Sequence, residues 1–269
     1  PFAGNLVEIC PTGTFTDRTF AAGHVRKWDL SSVPSVCSRC AVGCNVFLAG
    51  RDGDLRRIQN RYHPAINGYF LCDRGRFAAA ELNGASRLTR LEVSPVEGLG
   101  RGPVALEAGI DHLSALLRRS PVRLGIGSPQ ASLEANFALR ALVGEENFYW
   151  GVSSTTAAAM AMAARIRFQD GVPSAEPADL TRADAILLAG VDVTAAAPLL
   201  ELAIRGQRRR VMAEAAAGIG VPAWDDAAVR RVGENRRGDL FIATGQPTPL
   251  DGEARRVLRL EEYGLGTFV

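Results

Sequence analysis

The feature that most constrains this chain is a group of thiols near its start. Cys37, Cys40 and Cys44 fall within eight residues, and Cys72 follows at a distance, giving C-x2-C-x3-C-x27-C. With Cys10 these are all the cysteines of the 269-residue chain. Three thiols so close together, joined by a fourth from afar, have the spacing of a metal site. Two metals compete for it. An all-cysteine zinc site usually draws a pair of ligands from each of two knuckles. Here one loop supplies three ligands and the fourth stands alone. Such a loop can take three corners of a cubane and the remote thiolate the fourth, so the spacing points to a [4Fe–4S] cluster, with zinc as the alternative. Cysteines gathered at metal spacing also point to a reducing compartment.

The residues around the thiols carry turn and strand signals. Val25 to Leu30 reads as a short strand, and further short strands are expected at Cys44 to Ala49, Leu55 to Gln59 and Tyr69 to Cys72. Asp52-Gly53 favours a tight hairpin between the second and third of these. Asn67-Gly68 is another turn, placed to return Cys72 to the triplet. Gly43, just before Cys44, lets the backbone wrap closely and aim N–H groups at sulfur. Arg39, Arg74 and Arg76 lie beside candidate ligands, where cations favour the reduced form of a cluster. Pairing with Asp52, Asp54 or Asp73 is the plain alternative for these arginines.

Cys10 precedes Pro11. In ferredoxin-type sites the cysteine before a proline closes a cluster whose other ligands come from a separate cysteine run. No such run exists here. Either Cys10 is a small buried hydrophobe or its partners lie upstream of Pro1. The sequence opens on Pro1-Phe2 without an initiator methionine and reads as a piece of something longer.

From about Arg101 the texture becomes alternating helix and strand. Ala105 to Arg119 spaces Leu106, Ile110, Leu113 and Leu117 as an amphipathic helix. Val122 to Ile126 reads as a strand, with Ser128 as the cap of the next helix and Gly144 at its end. Asn147 to Trp150 is a short strand and Thr155 to Phe168 a helix rich in alanine. Ala183 to Ala189 is a nearly continuous apolar strand of the type buried on both faces. A helix follows around Ala195 to Arg205, strands at Arg210 to Ala213 and Asp239 to Ala243, and a helix at Asp225 to Val232. The tail after Pro247 reads as an extended arm. The repeating βα pattern implies a mostly parallel sheet with helices on both faces.

Other functions are weakly supported. A net charge of +2 gives no strong pull toward nucleic acid or anionic lipid. Gly125-Ile126-Gly127 follows a strand, but the dinucleotide fingerprint needs a third glycine where Gln130 stands, so it fails. Gly190-Val191-Asp192 does not establish a cofactor pocket. His24, His63 and His112 are scattered and complete no catalytic group. Arg208-Arg209-Arg210 and Arg230-Arg231 read as a solvated face, with a docking patch as the alternative.

Four stretches together carry a family resemblance: G-N-L-V-E-I-C-P-T-G-T-F-T-D, the cysteine pattern, G-Y-F-L-C-D-R-G-R-F, and G-I-G-S-P-Q-A-S-L-E-A-N-F-A-L-R-A-L-V-G-E-E-N-F-Y. The chain resembles the iron–sulfur large subunit, or G subunit, of bacterial NADH-quinone oxidoreductases (respiratory complex I), a family related to molybdopterin oxidoreductases such as formate dehydrogenase. The resemblance implies that Cys37, Cys40, Cys44 and Cys72 hold an extra [4Fe–4S] cluster off the main electron route. It implies that Cys10 is the last ligand of a second [4Fe–4S] cluster completed by upstream residues. It also implies an α/β fold: a small β-rich [4Fe–4S] domain followed by a Rossmann-like domain of degenerate molybdopterin-oxidoreductase type. Expected boundaries are 1–30 for the end of the upstream iron–sulfur region, 31–87 for the cluster domain and 88–269 for the Rossmann-like domain. The implied role is electron transfer within a proton-pumping NADH:quinone oxidoreductase, with this piece alone inactive. Implied partners are other subunits of the peripheral arm, without nucleic acid or direct membrane insertion, on the cytoplasmic side of the bacterial inner membrane. The rivals are the cluster domain of a true molybdopterin enzyme and a zinc-stapled structural module.

Overall fold

The computed structural model describes residues 1–93, 102–120, 124–234, 236 and 238–260. The chain is mixed α/β, with a β-rich N-terminal region and parallel pairing further on. It forms two compact units, one from residues 1–83 with 175 onward and the other from residues 84–174.

The first unit begins with helices α1 (Asn5–Ile9) and α2 (Arg18–Ala22). Residues Val25 to Leu30 do not form the expected strand; Lys27–Asp29 is a 3-10 turn, and the strand starts one residue later. The few alternating residues there are too exposed to define a sheet face: Trp28 is open to solvent. Strands β1 (Ser31–Val36), β2 (Asn45–Arg51) and β3 (Asp54–Asn60) form an antiparallel sheet in the order β1-β2-β3. The register pairs Val36 with Asn45 at one end of the first hairpin and Ser31 with Gly50 at the other. The expected Asp-Gly turn joins β2 to β3. Asp52 and Gly53 have φ of 54° and 84°, the left-handed pair that matches the twist of flanking strands.

Tyr69 to Cys72 is not a strand. A single bridge links His63 with Gly68, and the chain then passes through an open segment into α3 (Asp73–Arg76) and α4 (Ala79–Leu82). The segment is held by side chains instead of a ladder. Asn67, 3% exposed, accepts the Asn45 N–H at 2.9 Å and donates to Asn60 Oδ1 at 2.6 Å and the Arg61 carbonyl at 3.2 Å. The core beneath the sheet contains Cys44, Val46, Ile58, Leu71, Ala78 and Leu199.

The second unit has the strand pair β4 (Leu91–Val93) and β5 (Gly102–Val104), helix α5 (Leu106–Arg119), strand β6 (Gly125–Ile126), helix α6 (Leu133–Val143), strand β7 (Phe148–Tyr149) and helix α7 (Ser154–Phe168). Strand β6 pairs parallel with β7. Residues 121–123 of the strand expected at Val122 to Ile126 lie outside the described residues. The cap of α6 is Ser132, whose hydroxyl accepts the Ala135 N–H at 3.1 Å, and not Ser128. Ser128 is held earlier, by Asn136. The stripe of α5 forms, but Leu106, Ile110 and Leu113 are more than half exposed. The helix instead approaches β4 through Gly109, where an added Cβ would fall 1.7 Å from Leu91.

The first unit resumes with helix α8 (Pro177–Arg182), strand β8 (Ala185–Ala189), helices α9 (Val193–Ala196), α10 (Pro198–Ala217) and α11 (Asp226–Gly233), and strands β9 (Asp239–Thr244) and β10 (Arg256–Arg259). These strands form a parallel sheet in the order β10-β9-β8. Strand β8 is therefore at an edge and is not covered on both faces; Ile186 is buried but Leu187 is 54% exposed. Ile186, Leu240 and Ile242 pack with Val193, Ala197 and Ile204 in one core. Arg210 to Ala213 is helix, not strand. Pro198 at the first turn, followed by strong helix formers, carries α10 through it without a break. Part of the tail after Pro247 is β10 instead of a free arm; residues 261–269 lie outside the described residues. Among the described residues no helix is long and apolar enough to cross a membrane.

The arginine clusters are engaged within this unit. Arg208 pairs with Glu253 at 3.3 Å and Arg209 with Asp226 at 3.0 Å. Arg210 donates to the Thr181 carbonyl at 3.0 Å and to Glu214 at 2.8 Å, and Arg230 pairs with Asp226 at 2.7 Å.

Asn67 generates the first prediction. Asn67→Ala removes both an acceptor and a donor from a buried polar group and should cost about 2–4 kcal/mol of stability. Urea unfolding should show a lower midpoint with an unchanged slope; a midpoint within error of the parent would show that the turn is held by other contacts.

Candidate metal centre

The cysteine triplet sits at the tip of the β1–β2 hairpin. The Cys37 N–H donates to the Cys44 carbonyl at 2.8 Å, one step beyond the last strand pair. The tip, residues 37–44, is thus tied at its neck, with one thiol at each end and Cys40 between. Gly43, with φ of 64°, makes the reversal that a side chain would resist. Its N–H donates to the Cys40 carbonyl.

Cys72 arrives from the opposite direction as the residue before α3. Its carbonyl accepts the N–H groups of Gly75 and Arg76 at 3.1 and 3.0 Å. Gly75 is the point of contact between the two loops. A Cβ there would lie 3.1 Å from Cys37 Sγ and 3.7 Å from Cys72 Sγ. The bare glycine leaves a cradle with a sulfur from each loop beside it. Cys44 and Cys72 are 2% and 3% exposed, Cys37 and Cys40 partly exposed, and none of the five cysteines is in a disulfide.

The nearness of the thiols sets their electrostatics. Burial pushes the Cys44 thiol up to about 12, and negative charge on Cys37, Cys40 or Cys72 pushes it the same way. Cys37 is raised by burial first, opposed by the Arg39 N–H, and raised again by Cys72 and Cys40. Gathering four thiolates here is unfavourable unless positive charge joins them. Among the described residues no three His, Cys, Asp or Glu side chains are grouped as a single ion requires. A cubane makes a different demand, since each thiolate binds its own iron. The donor set fits that group: four sulfurs from two loops, a glycine cradle between them, and backbone N–H groups nearby.

Cys10 is kept apart. It is not among the groups acting on Cys37 or Cys44. It ends α1, its Sγ 3.3 Å from the Thr12 hydroxyl. That contact first, then N–H groups of Phe15, Thr12 and Thr14, lower its thiol to about 6. Beside it is a cavity of about 540 Å³ lined by residues that include Phe15, Phe20, His24, Lys27 and Arg57. His24 stands edge-on to Phe20 and belongs to this cavity, not to the four thiols.

The arginines beside the thiols have partners other than Asp52, Asp54 or Asp73. Arg39 meets Glu81 at 2.7 Å, Arg74 donates to the Ala195 and Ala196 carbonyls at 2.6 and 3.1 Å, and buried Arg76 meets Glu8 at 2.9 Å. Sequence reasoning missed Gly75, Asn5 and Glu8. Gly75 stands inside the C-D-R-G-R-F stretch, three residues after a candidate ligand, and that position was the available signal.

Gly75→Ala should crowd Cys37 Sγ and lower the iron retained per chain after anaerobic reconstitution, with helix content unchanged. Iron retention equal to that of the parent would show that the two loops have room to spare.

Known proteins share this part of the chain. Residues 30–84 match the family model described as the molybdopterin oxidoreductase Fe4S4 domain. The chain is 42% identical over 250 residues to the G subunit of NADH-quinone oxidoreductase from Shewanella oneidensis and 40% identical over 252 residues to that of Escherichia coli K12. It is 41% identical over 254 residues to the Pseudomonas putida protein. The chain spans 27% of the length of these curated relatives. Over 93% of its own length, then, this chain is similar to the G subunit of NADH-quinone oxidoreductase, and its thiol-bearing hairpin lies within the stretch that matches the Fe4S4 domain.

Proposed function

We propose that this chain is an iron–sulfur electron-transfer segment of an NADH:quinone oxidoreductase, in which Cys37, Cys40, Cys44 and Cys72 hold a [4Fe–4S] cluster. The observation that carries the reading is the meeting of the hairpin tip and the Cys72 turn across Gly75. When bound, the cluster accepts and returns one electron. The protein supplies the holding geometry. The hairpin neck fixes Cys37 relative to Cys44, and burial of Cys44 and Cys72 keeps water from the inner corners. The Arg39 N–H favours the charged form of Cys37, as a donor to ligand sulfur does.

The finer reading extends this. Cys10 is a ligand of a second [4Fe–4S] cluster whose other ligands lie outside this chain; its lowered thiol suits metal binding. Residues 1–30, 31–87 and 88–269 are the end of an upstream iron–sulfur region, the cluster domain and a Rossmann-like domain of degenerate molybdopterin-oxidoreductase type. The match over residues 30–84 supports the second of these, and the parallel β10-β9-β8 sheet is in keeping with the third. Partners are other subunits of the peripheral arm, on the cytoplasmic side of the inner membrane. The family description also supports a second reading, a working molybdopterin oxidoreductase. Molybdenum near one per chain would favour it.

The test is anaerobic reconstitution with iron and sulfide counted, followed by EPR of the dithionite-reduced chain. The expected result is about four irons and four sulfides with a [4Fe–4S] signal; zinc without labile sulfide would overturn the reading. Cys72→Ser should yield a labile or absent cluster, because the remote corner loses its thiolate. Cys10→Ser should leave the iron content of this chain nearly unchanged.

A further inference from the structure

Helix α1, which leads directly into Cys10, is five residues long. A helix so short does not persist in water by itself. Its support comes almost wholly from the segment around Cys72. The Asp73 carboxylate accepts the N–H groups of Ala3 and Gly4 at 3.0 and 2.8 Å. Asn5 donates to the Leu71 carbonyl at 2.9 Å and accepts the Leu71 N–H at 3.1 Å. Arg76, 6% exposed, donates through Nη2 to Asn5 Oδ1 and to Glu8 Oε2, each at 2.9 Å. The fit is tight at Gly4, where an added Cβ would lie 2.4 Å from Arg76 Cδ. A further hydrogen bond, from the Asn60 N–H at 2.8 Å, uses the Glu8 carboxylate that Arg76 also holds.

The supporting segment is anchored at Leu71, which is fully buried in the core, and is short beyond it. Helix α3 is four residues long and starts from Cys72. Whatever fixes Cys72 therefore helps to order residues 71–76, and these in turn order α1. Resting on the cluster reading above, we propose that Arg76 is a positioning residue that makes the placement of Cys10 depend on occupancy of the four-cysteine site. Glu8 and Asn5 are the groups through which it acts. Glu8 lies two residues before Cys10, so the guanidinium grips the helix about half a turn from the thiol. The coupling is one of order, not of charge, because Arg76 and Glu8 neutralise each other. It is also reciprocal, as any linkage between two equilibria must be.

The experiment follows alkylation of Cys10 in the whole chain under anaerobic conditions by peptide mass spectrometry, before and after reconstitution with iron and sulfide. Iron is counted in the same samples. In the parent, loading should slow alkylation of Cys10 by about fivefold or more, the lower end of typical coupling. Arg76→Met should still take up iron but lose that dependence, and Arg76→Lys, able to meet Glu8 alone, should recover part of it. If Arg76→Met does not fold, the double variant Glu8→Gln with Arg76→Met leaves no buried unpaired charge and should behave the same way. Equal alkylation rates with and without cluster in the parent, or full dependence retained without Arg76, would overturn the coupling and leave the cluster reading standing. A parent that takes up no iron would overturn both.

Discussion

One backbone hydrogen bond, from the Cys37 N–H to the Cys44 carbonyl, closes the loop from which the rest of the site is built. It continues the β1–β2 ladder by one step, so sheet register decides where two of the four thiols stand. The same register puts Cys44 and Val46 in the core and turns Phe47 outward. A slip by one residue would move the whole set to the other face. The site is therefore an extension of the sheet, and its precision is that of a strand end, not of a free loop.

The fold brings together groups that repel each other once charged. Burial first, and then the neighbouring thiols, push Cys37 and Cys44 up, toward the protonated form. Metal binding must displace those protons, and the attraction of iron for four thiolates then works in the same direction as the apolar packing of Leu71, Ile58 and Val46 around them. That packing draws on distant sequence. Leu199, at the start of α10, shares the core with Cys44 and Leu71, and Arg74 reaches the carbonyls of Ala195 and Ala196. The cysteine region and the later α/β stretch thus stabilise each other within one compact unit.

What could be read from the sequence was what local chemistry dictates. The Asp52-Gly53 turn demands two left-handed residues and forms where expected. Helices α5, α6, α7 and α11 form where they were expected to within a few residues, although α6 is capped by Ser132 and not by Ser128. The return of Cys72 to the neighbourhood of Cys37 was legible from spacing alone. The failures have physical causes. The strand expected at Val25 to Leu30 rested on a partial alternation, and the one at Arg210 to Ala213 on a few residues; patterns so short do not distinguish strand from helix. Tyr69 to Cys72 was misread because Asn67 and Asn5, not a ladder, hold that stretch. Side-chain hydrogen bonds between residues 22 or 66 positions apart leave no periodic trace in a sequence. For the same reason the Arg76–Glu8 pair was invisible until the two elements were placed side by side.

The surroundings of the thiols also change the electrostatic argument made from sequence. Three arginines next to candidate ligands suggest a positive field that would favour a reduced cluster. In the folded chain Glu81 answers Arg39, Glu8 answers Arg76, and Arg74 is turned to backbone carbonyls. Of the three, Arg39 acts on the Cys37 thiol, and there its peptide N–H lowers the thiol more than its guanidinium does. Opposite charges brought within contact cancel at longer range, whereas a peptide dipole aimed at sulfur has no counter-ion to meet. Against the net upward push of burial, what Arg39 does to favour the thiolate at Cys37 therefore comes more from the backbone of the hairpin tip than from its side-chain charge. Loop shape, set by Gly43 and the bond at the hairpin neck, is what a sequence of this kind must preserve to keep it.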